Sequence, residues 1–155
     1  MDLLDLVGAA DVARTSGRDG GRFVAFASWT AEDLVGLRGL GRLQLVEAGV
    51  EAVSADASDR DLFVVASGEL EVWSSAPGAS RLIGRLGSGE VFGEIAFVDG
   101  RPRSASVKAI SASRLVRISP EELDVLAGRE PRLAMQFLTE IARIICDRLR
   151  HTQTG

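Results

Sequence analysis

Between residues 43 and 118 the chain consists of short apolar runs separated by turn-forming residues every eight to twelve positions, with helical periodicity on both sides of the stretch. No other feature limits the fold as strongly. Runs this short do not make helices with a buried face, but they suit strands of a sheet that closes on itself. Val50, Ala52 and Val53 form one piece. Asp61 to Val65 and Leu70 to Trp73 flank Ser67-Gly68, a tight turn. Arg81 to Leu86 follows Pro77-Gly78, and Ser104 to Ile110 and Arg114 to Ile118 close the set. Val107, Ala109, Leu115 and Ile118 are the members expected to face the core. The expected fold is mainly β with flanking helices: a β-roll of about eight strands, a jelly-roll-like barrel, with N-terminal helices before it and two C-terminal helices after it.

The flanks read as follows. Leu3, Leu6, Val7 and Ala10 stand at helical spacing and predict a short amphipathic helix over residues 2–14, broken by a loop from Ser16 to Gly21. Thr30 can cap a second helix, with Glu32 and Asp33 in its first turn, running through Leu34 and Leu37 to Gly39 and Gly41. After the strands, Ser119-Pro120-Glu121-Glu122 reads as a cap, a proline at the first helical position and first-turn acids, opening a helix to about Gly128. Pro131 opens a longer helix to about Arg150 with Leu133, Phe137, Leu138, Ile141, Ile144, Ile145 and Leu149 along it. Residues 1–28 are thus an N-terminal helix-and-loop extension. Residues 29–155 form one domain, its roll over about 43–118 and its C-terminal helices over about 120–150.

Composition excludes several classes. A formal net charge of −4 and the lack of any Lys/Arg run argue against nucleic acid as a partner. No apolar stretch nears the ~18 residues of a membrane span, and the acidic Met1-Asp2-Leu3-Leu4-Asp5 start is unlike a secretory leader. A cytoplasmic chain without membrane or nucleic-acid partners is expected. One histidine, His151, cannot build a metal site alone and reads as solvated. The single Cys146, beside Ile144, Ile145 and Leu149, reads as a packed small hydrophobe.

The chemistry concentrates between Gly89 and Val107. Two glycine turns bracket a short helix-capable piece, and Arg-Ser-Ala then enters a strand. Gly93, having no Cβ, lets backbone approach a ligand closely. Amides around Ile95 and Ala96, at a helix start, lack internal partners and suit a phosphate. Arg103 can offer two parallel donors to phosphate oxygens, and Glu94 can accept from a sugar hydroxyl.

Phe92-Gly93-Glu94-Ile95-Ala96 and, in register, Pro102-Arg103-Ser104-Ala105-Ser106-Val107 resemble the phosphate-binding cassette of the cyclic-nucleotide-binding domain family, ligand domains like those of catabolite activators and protein kinase A regulatory subunits. Asp61 to Val72 looks like the family's two-strand turn, and a weaker similarity runs from about Thr30 to Arg150. The chain departs from the family where Glu-Gly-Asp is usual and Ala55-Asp56-Ala57 stands instead. No DNA-binding, kinase or channel module is expected after the last helix. The resemblance implies that Glu94 binds the ribose 2′-hydroxyl. It also implies that Arg103 binds the cyclic phosphate, aided by the Ile95, Ala96 and Ala105 amides and the Ser104 hydroxyl. With no tyrosine in the chain, Phe137 is the candidate to stack on the base.

The expected function is a non-catalytic sensor of a cyclic mononucleotide, cAMP favoured over cGMP, with no cofactor or metal. Its C-terminal helices would close over the base and relay the signal to a downstream protein. A homodimer through the last helix is expected, with Leu138, Ile141 and Ile145 as its stripe. The alternatives are a protein-interaction module that keeps the fold without the ligand, and a small metal-dependent β-roll enzyme, which one histidine argues against.

Overall fold

The strand Leu62–Ser67 explains the architecture, because Leu62, Phe63, Val64 and Val65 are all buried although a strand points alternate side chains to opposite faces. In the computed structural model, which describes residues 1–3, 5–6, 18–19, 22–23, 26, 28–76 and 79–154, Leu62 and Val64 pack into one core and Phe63 and Val65 into another. The strand is a wall between two interiors.

In chain order the elements are a two-residue ribbon β1 (Arg18–Asp19) and β2 (Arg22–Phe23), then α1 (Ala31–Val35), β3 (Arg42–Val46), β4 (Glu51–Val53), β5 (Leu62–Ser67), β6 (Leu70–Ala76) and β7 (Ala79–Leu86). They continue with β8 (Val91–Phe92), α2 (Glu94–Asp99), β9 (Ala105–Ala109), β10 (Ser113–Ile118), α3 (Pro120–Arg129) and α4 (Pro131–Thr154). Two four-stranded sheets, β3-β10-β5-β8 and β4-β9-β6-β7, are antiparallel throughout. The core between the sheets includes Val53, Phe63, Leu70, Phe92, Val107 and Leu115. The other core lies between the first sheet and the helices, where Val116 and Ile118 of β10 meet Leu34, Leu126, Phe137 and Ile141. The mainly β roll with flanking helices is therefore the fold.

The caps form as the residue types dictate. Thr30 with Asp33, and Ser119 with Glu122, each close a reciprocal capping box, and Pro120 occupies the first turn of α3. Helix α1 is shorter than its periodicity predicts: it ends at Val35, and turns carry the chain through Leu37 to Gly39. Helix α4 is longer, reaching Thr154 rather than Arg150. Two strands of the roll escaped the sequence reading, as did the β1–β2 ribbon, whose first strand falls in the predicted Ser16–Gly21 loop. Arg42–Val46 alternates Arg42, Leu43, Gln44 and Leu45 over only four positions and buries only its last residue, and Val91–Phe92, two residues long, is too short to show a period.

At the Ala55-Asp56-Ala57 turn, Asp56 takes φ 67°, a left-handed conformation that aspartate tolerates better than most residues. Most of the predicted 2–14 helix and of the Ser16–Gly21 loop lies outside the described residues, as do Val7 and Ala10. Leu3 and Leu6 are buried with Trp29 in the helix-side core, and β1 pairs with β2. Cys146 is exposed rather than packed, because α4 turns its apolar faces to two sides.

Candidate ligand-binding site

The site starts from a strand too short to stand alone. Phe92 of β8 pairs with Phe63 of β5, their rings stacked at 4.8 Å, which fixes where the chain leaves the sheet. It turns at Gly93, φ 81°, directly into α2. A Cβ on Gly93 would stand 2.7 Å from both the Arg103 Nη1 and the Asp61 carbonyl oxygen. Glycine is thus required here by the conformation and by the guanidinium beneath it, more than by the approach of a ligand.

Arg103 is buried at the centre of this loop. Its backbone is bracketed by the 55–57 turn, Asp56 N–H donating to the Arg103 carbonyl and Arg103 N–H to that of Ala57, both at 2.8 Å. Its Nη2 donates to Asp59 Oδ2 at 2.7 Å and to the Asp61 carbonyl at 2.6 Å, Nη1 to the Gly93 carbonyl at 3.0 Å, and Nε to Asp59 Oδ1 at 3.4 Å. Of the guanidinium's five N–H groups, one on Nη1 is left over. The two-donor fork expected for a phosphate is turned toward Asp59 instead. Hydrogen bonding from Arg103 in turn holds the Asp59 carboxyl below its ordinary pKa against the opposing effect of burial. Asp59 escaped the sequence reading, since an acid 44 residues from its arginine leaves no local signal.

Helix α2 makes its first described backbone bond from Phe97 N–H to the Gly93 carbonyl, so the Glu94, Ile95 and Ala96 amides precede any intrahelical acceptor. Arg60 donates to the Ala96 and Phe97 carbonyls near the other end. Glu94, buried in the first turn, meets Arg148 of α4, with Nη1 at 2.6 Å from Oε1. Arg148 Nη2 also donates to the Val91 carbonyl. The last helix is thereby tied to the cassette across the site.

These groups line a cavity of about 440 Å³, the size of small-ligand pockets generally. Gly93, Glu94, Ile95, Ala96, Arg103, Ser104 and Ala105 all border it, so seven of the eight sequence candidates come together. The opposite side is apolar, with Val53, Val72, Leu86, Phe92 and Val107 extending from the core between the sheets.

Phe137 is the exception. It is fully buried in the helix-side core, stacked on Phe26 at 5.6 Å, and takes no part in the cavity lining. The α4 residues at the cavity are Ile144, Asp147, Arg148 and His151, two to four turns further on. Continuing the buried stripe of Phe137, Ile141 and Ile144 by helical steps would have reached Arg148 and His151. His151, read as solvated, borders the cavity and approaches Asp147 Oδ2 at 3.6 Å. Among the described residues, no group of three His, Cys or acidic side chains is placed to hold a metal ion, and no helix is long and apolar enough to cross a membrane.

The chain is 30% identical over 95 residues to the CRP-like cAMP-activated global transcriptional regulator of Mycobacterium tuberculosis, covering 61% of this chain and 41% of that protein. It is 30% identical over 85 residues to the cAMP-dependent protein kinase regulatory subunit of Mycosarcoma maydis, covering 52% of this chain and 16% of that one. The chain therefore spans less than half the length of these curated relatives. The Thermus thermophilus catabolite activator protein superposes with a TM-score of 0.71 at 27% identity, over 83% of this chain and 59% of that one. Residues 43–130 match the model of the cyclic nucleotide-binding domain, and with more than half its length so matched this chain belongs to that family.

Proposed function

We propose that the chain is a non-catalytic sensor that binds a 3′,5′-cyclic mononucleotide in this cavity and reports it through α4. The observation that carries the reading is the junction of Glu94 with Arg148 on the cavity wall that also holds Arg103. The phosphate takes the remaining Nη1 donor of Arg103 and the α2 amides of Ile95 and Ala96, with the Ser104 hydroxyl and the Ala105 amide at its rim. The ribose 2′-hydroxyl donates to Glu94, and the base lies in the apolar half beneath α4. The names of the Mycobacterium and Mycosarcoma relatives favour cAMP over cGMP.

The relay follows from shared acceptors. A sugar hydroxyl on Glu94 competes with Arg148 for the same carboxylate, so ligand and helix position are coupled. Each tenfold change in the helix equilibrium needs about 1.4 kcal/mol of preference for one state. The reading includes a cytoplasmic location, a downstream protein that reads α4, and a homodimer through α4.

Calorimetry with cAMP, cGMP and 5′-AMP tests the ligand. Arg103→Leu should weaken cAMP by at least ~2 kcal/mol, since a buried phosphate loses a charged donor and Asp59 its partner. Wild-type affinity in that variant removes Arg103 from the site, and no heat from either cyclic nucleotide defeats the sensor reading. Hydrogen exchange tests the relay: protection over 131–150 should change with ligand. A change confined to 89–107 leaves a cradle without a switch.

A further inference from the structure

Three consecutive residues, Asp59, Arg60 and Asp61, hold the ligand-facing groups from behind, and none of them borders the cavity. The Asp59 carboxylate and the Asp61 carbonyl accept from the Arg103 guanidinium. Arg60 reaches the other way. Its Nε donates to the Ala96 carbonyl at 3.4 Å and its Nη2 to the Phe97 carbonyl at 3.3 Å. Both carbonyls lie in the last turn of α2, where intrahelical donors run out and a cation is favoured. The guanidinium packs against Gly100, where the backbone turns at φ 72° and a Cβ would touch Arg60 Cζ at 3.4 Å. The segment is itself fixed to the roll, since the Asp61 carboxylate pairs with Arg117 of β10.

Helix α2 needs such a hold. Its six residues are too few for a helix to persist on propensity alone. Phe97 anchors it in the helix-side core, but one apolar side chain fixes a point and not a direction. The Glu94–Arg148 pair ties the opposite end, and it is the contact for which a ribose hydroxyl competes. Arg60 keeps its grip when that pair is exchanged for a ligand. We infer that Arg60 is a positioning residue: it sets the direction of α2, so that the 59–61 segment fixes the spacing between Glu94 and Arg103. These are the side chains given above to the ribose and the phosphate, and the inference rests on that sensor reading. Its physical basis is preorganisation, because a ligand gains from both contacts at once only if their spacing is right beforehand.

The test uses the full chain, first without nucleotide and then with it. Arg60 is exposed, so Arg60→Ala should keep the wild-type circular dichroism. Without nucleotide, amides 97–100 of the variant should exchange hydrogen at least ~5-fold faster than in the wild type, as the loss of two weak hydrogen bonds predicts. The amides of β5 should be unchanged. In calorimetry the wild type should bind cAMP at least ~10-fold tighter than 2′-deoxy-cAMP, since a hydrogen bond to a carboxylate separates them. That ratio should shrink at least ~3-fold in Arg60→Ala, because Glu94 is no longer held in place for the 2′-hydroxyl. A merely structural role would weaken both nucleotides alike and leave the ratio as it was. Unchanged exchange over 97–100, or an unchanged ratio, overturns the inference. If the wild type binds neither nucleotide, or both equally, the sensor reading loses its ligand or its ribose contact, and the exchange result alone decides for or against Arg60.

Discussion

Replacing Gly93 with alanine sets two separable penalties on the cassette. The first is conformational: φ 81° is a left-handed setting that costs an L-residue with a Cβ roughly 1–2 kcal/mol. The second is steric. The new Cβ would stand 2.7 Å from Arg103 Nη1, which can give way, and 2.7 Å from the Asp61 carbonyl oxygen, which is backbone. Overpacking of this kind adds about 1–3 kcal/mol. Gly49 isolates the first penalty, because its φ is 87° and nothing lies within 4 Å of its would-be Cβ. Gly49→Ala should therefore lose about 1–2 kcal/mol and Gly93→Ala about 2–5 kcal/mol. In a chain of this length each kcal/mol lowers the melting temperature by about 2–4 °C, so Gly93→Ala should melt at least ~2 °C below Gly49→Ala. Thermal unfolding followed by circular dichroism measures both. Calorimetry adds a second readout, since displacing Arg103 should weaken cyclic-nucleotide binding in Gly93→Ala alone. Equal melting temperatures and equal affinities in the two variants would refute the claim that Gly93 makes room for the arginine.

Phe137→Ala should lose about 3–5 kcal/mol in urea unfolding, because Phe137 fills the core against Phe26. The folded fraction should bind nucleotide as the wild type does, and a selective loss of affinity would return Phe137 to the site. Glu140 is buried, accepts from the Phe26 N–H at 2.6 Å, and has its pKa raised chiefly by desolvation. A raised carboxyl pKa favours the fold below the ordinary value and loses that benefit as pH climbs through the folded value. Glu140→Gln, which keeps an acceptor, should therefore melt higher than wild type at pH 8 and show no gain near pH 4. A gain that does not depend on pH would show that ionisation of Glu140 is not the cause. The Asp59 pKa is lowered by Arg103, so the sign reverses: its contribution is complete above the ordinary value of 3.8 and fades as pH falls below it. The deficit of Asp59→Asn against wild type in chemical denaturation should shrink between pH 5 and pH 3, and a constant deficit would count against the ion pair.

The sequence by itself determined what depends on neighbours along the chain. The boxes at Thr30 and Ser119 follow from side chains that reach three residues. Gly68, φ 103° and against Ser113, closes the β5–β6 turn predicted from Ser67-Gly68. The cassette was legible because Gly93, α2 and Arg103 lie within a dozen residues of one another, so spacing alone brings them together. Tertiary structure decided the rest, through partners remote in sequence. Whether Arg103 offers a fork to a ligand depends on Asp59 and Asp61, and whether Glu94 is paired depends on Arg148. Helix α4 makes the point most fully. Its apolar residues cover more than half of its circumference, and periodicity cannot say which of them meets the roll and which the solvent. Only the packing of α4 against the helix-side core buries Phe137 and Ile141, brings Arg148 to the cavity and leaves Met135, Leu138 and Leu149 outside, because burial is a property of the face that finds a surface and not of the residue that carries it.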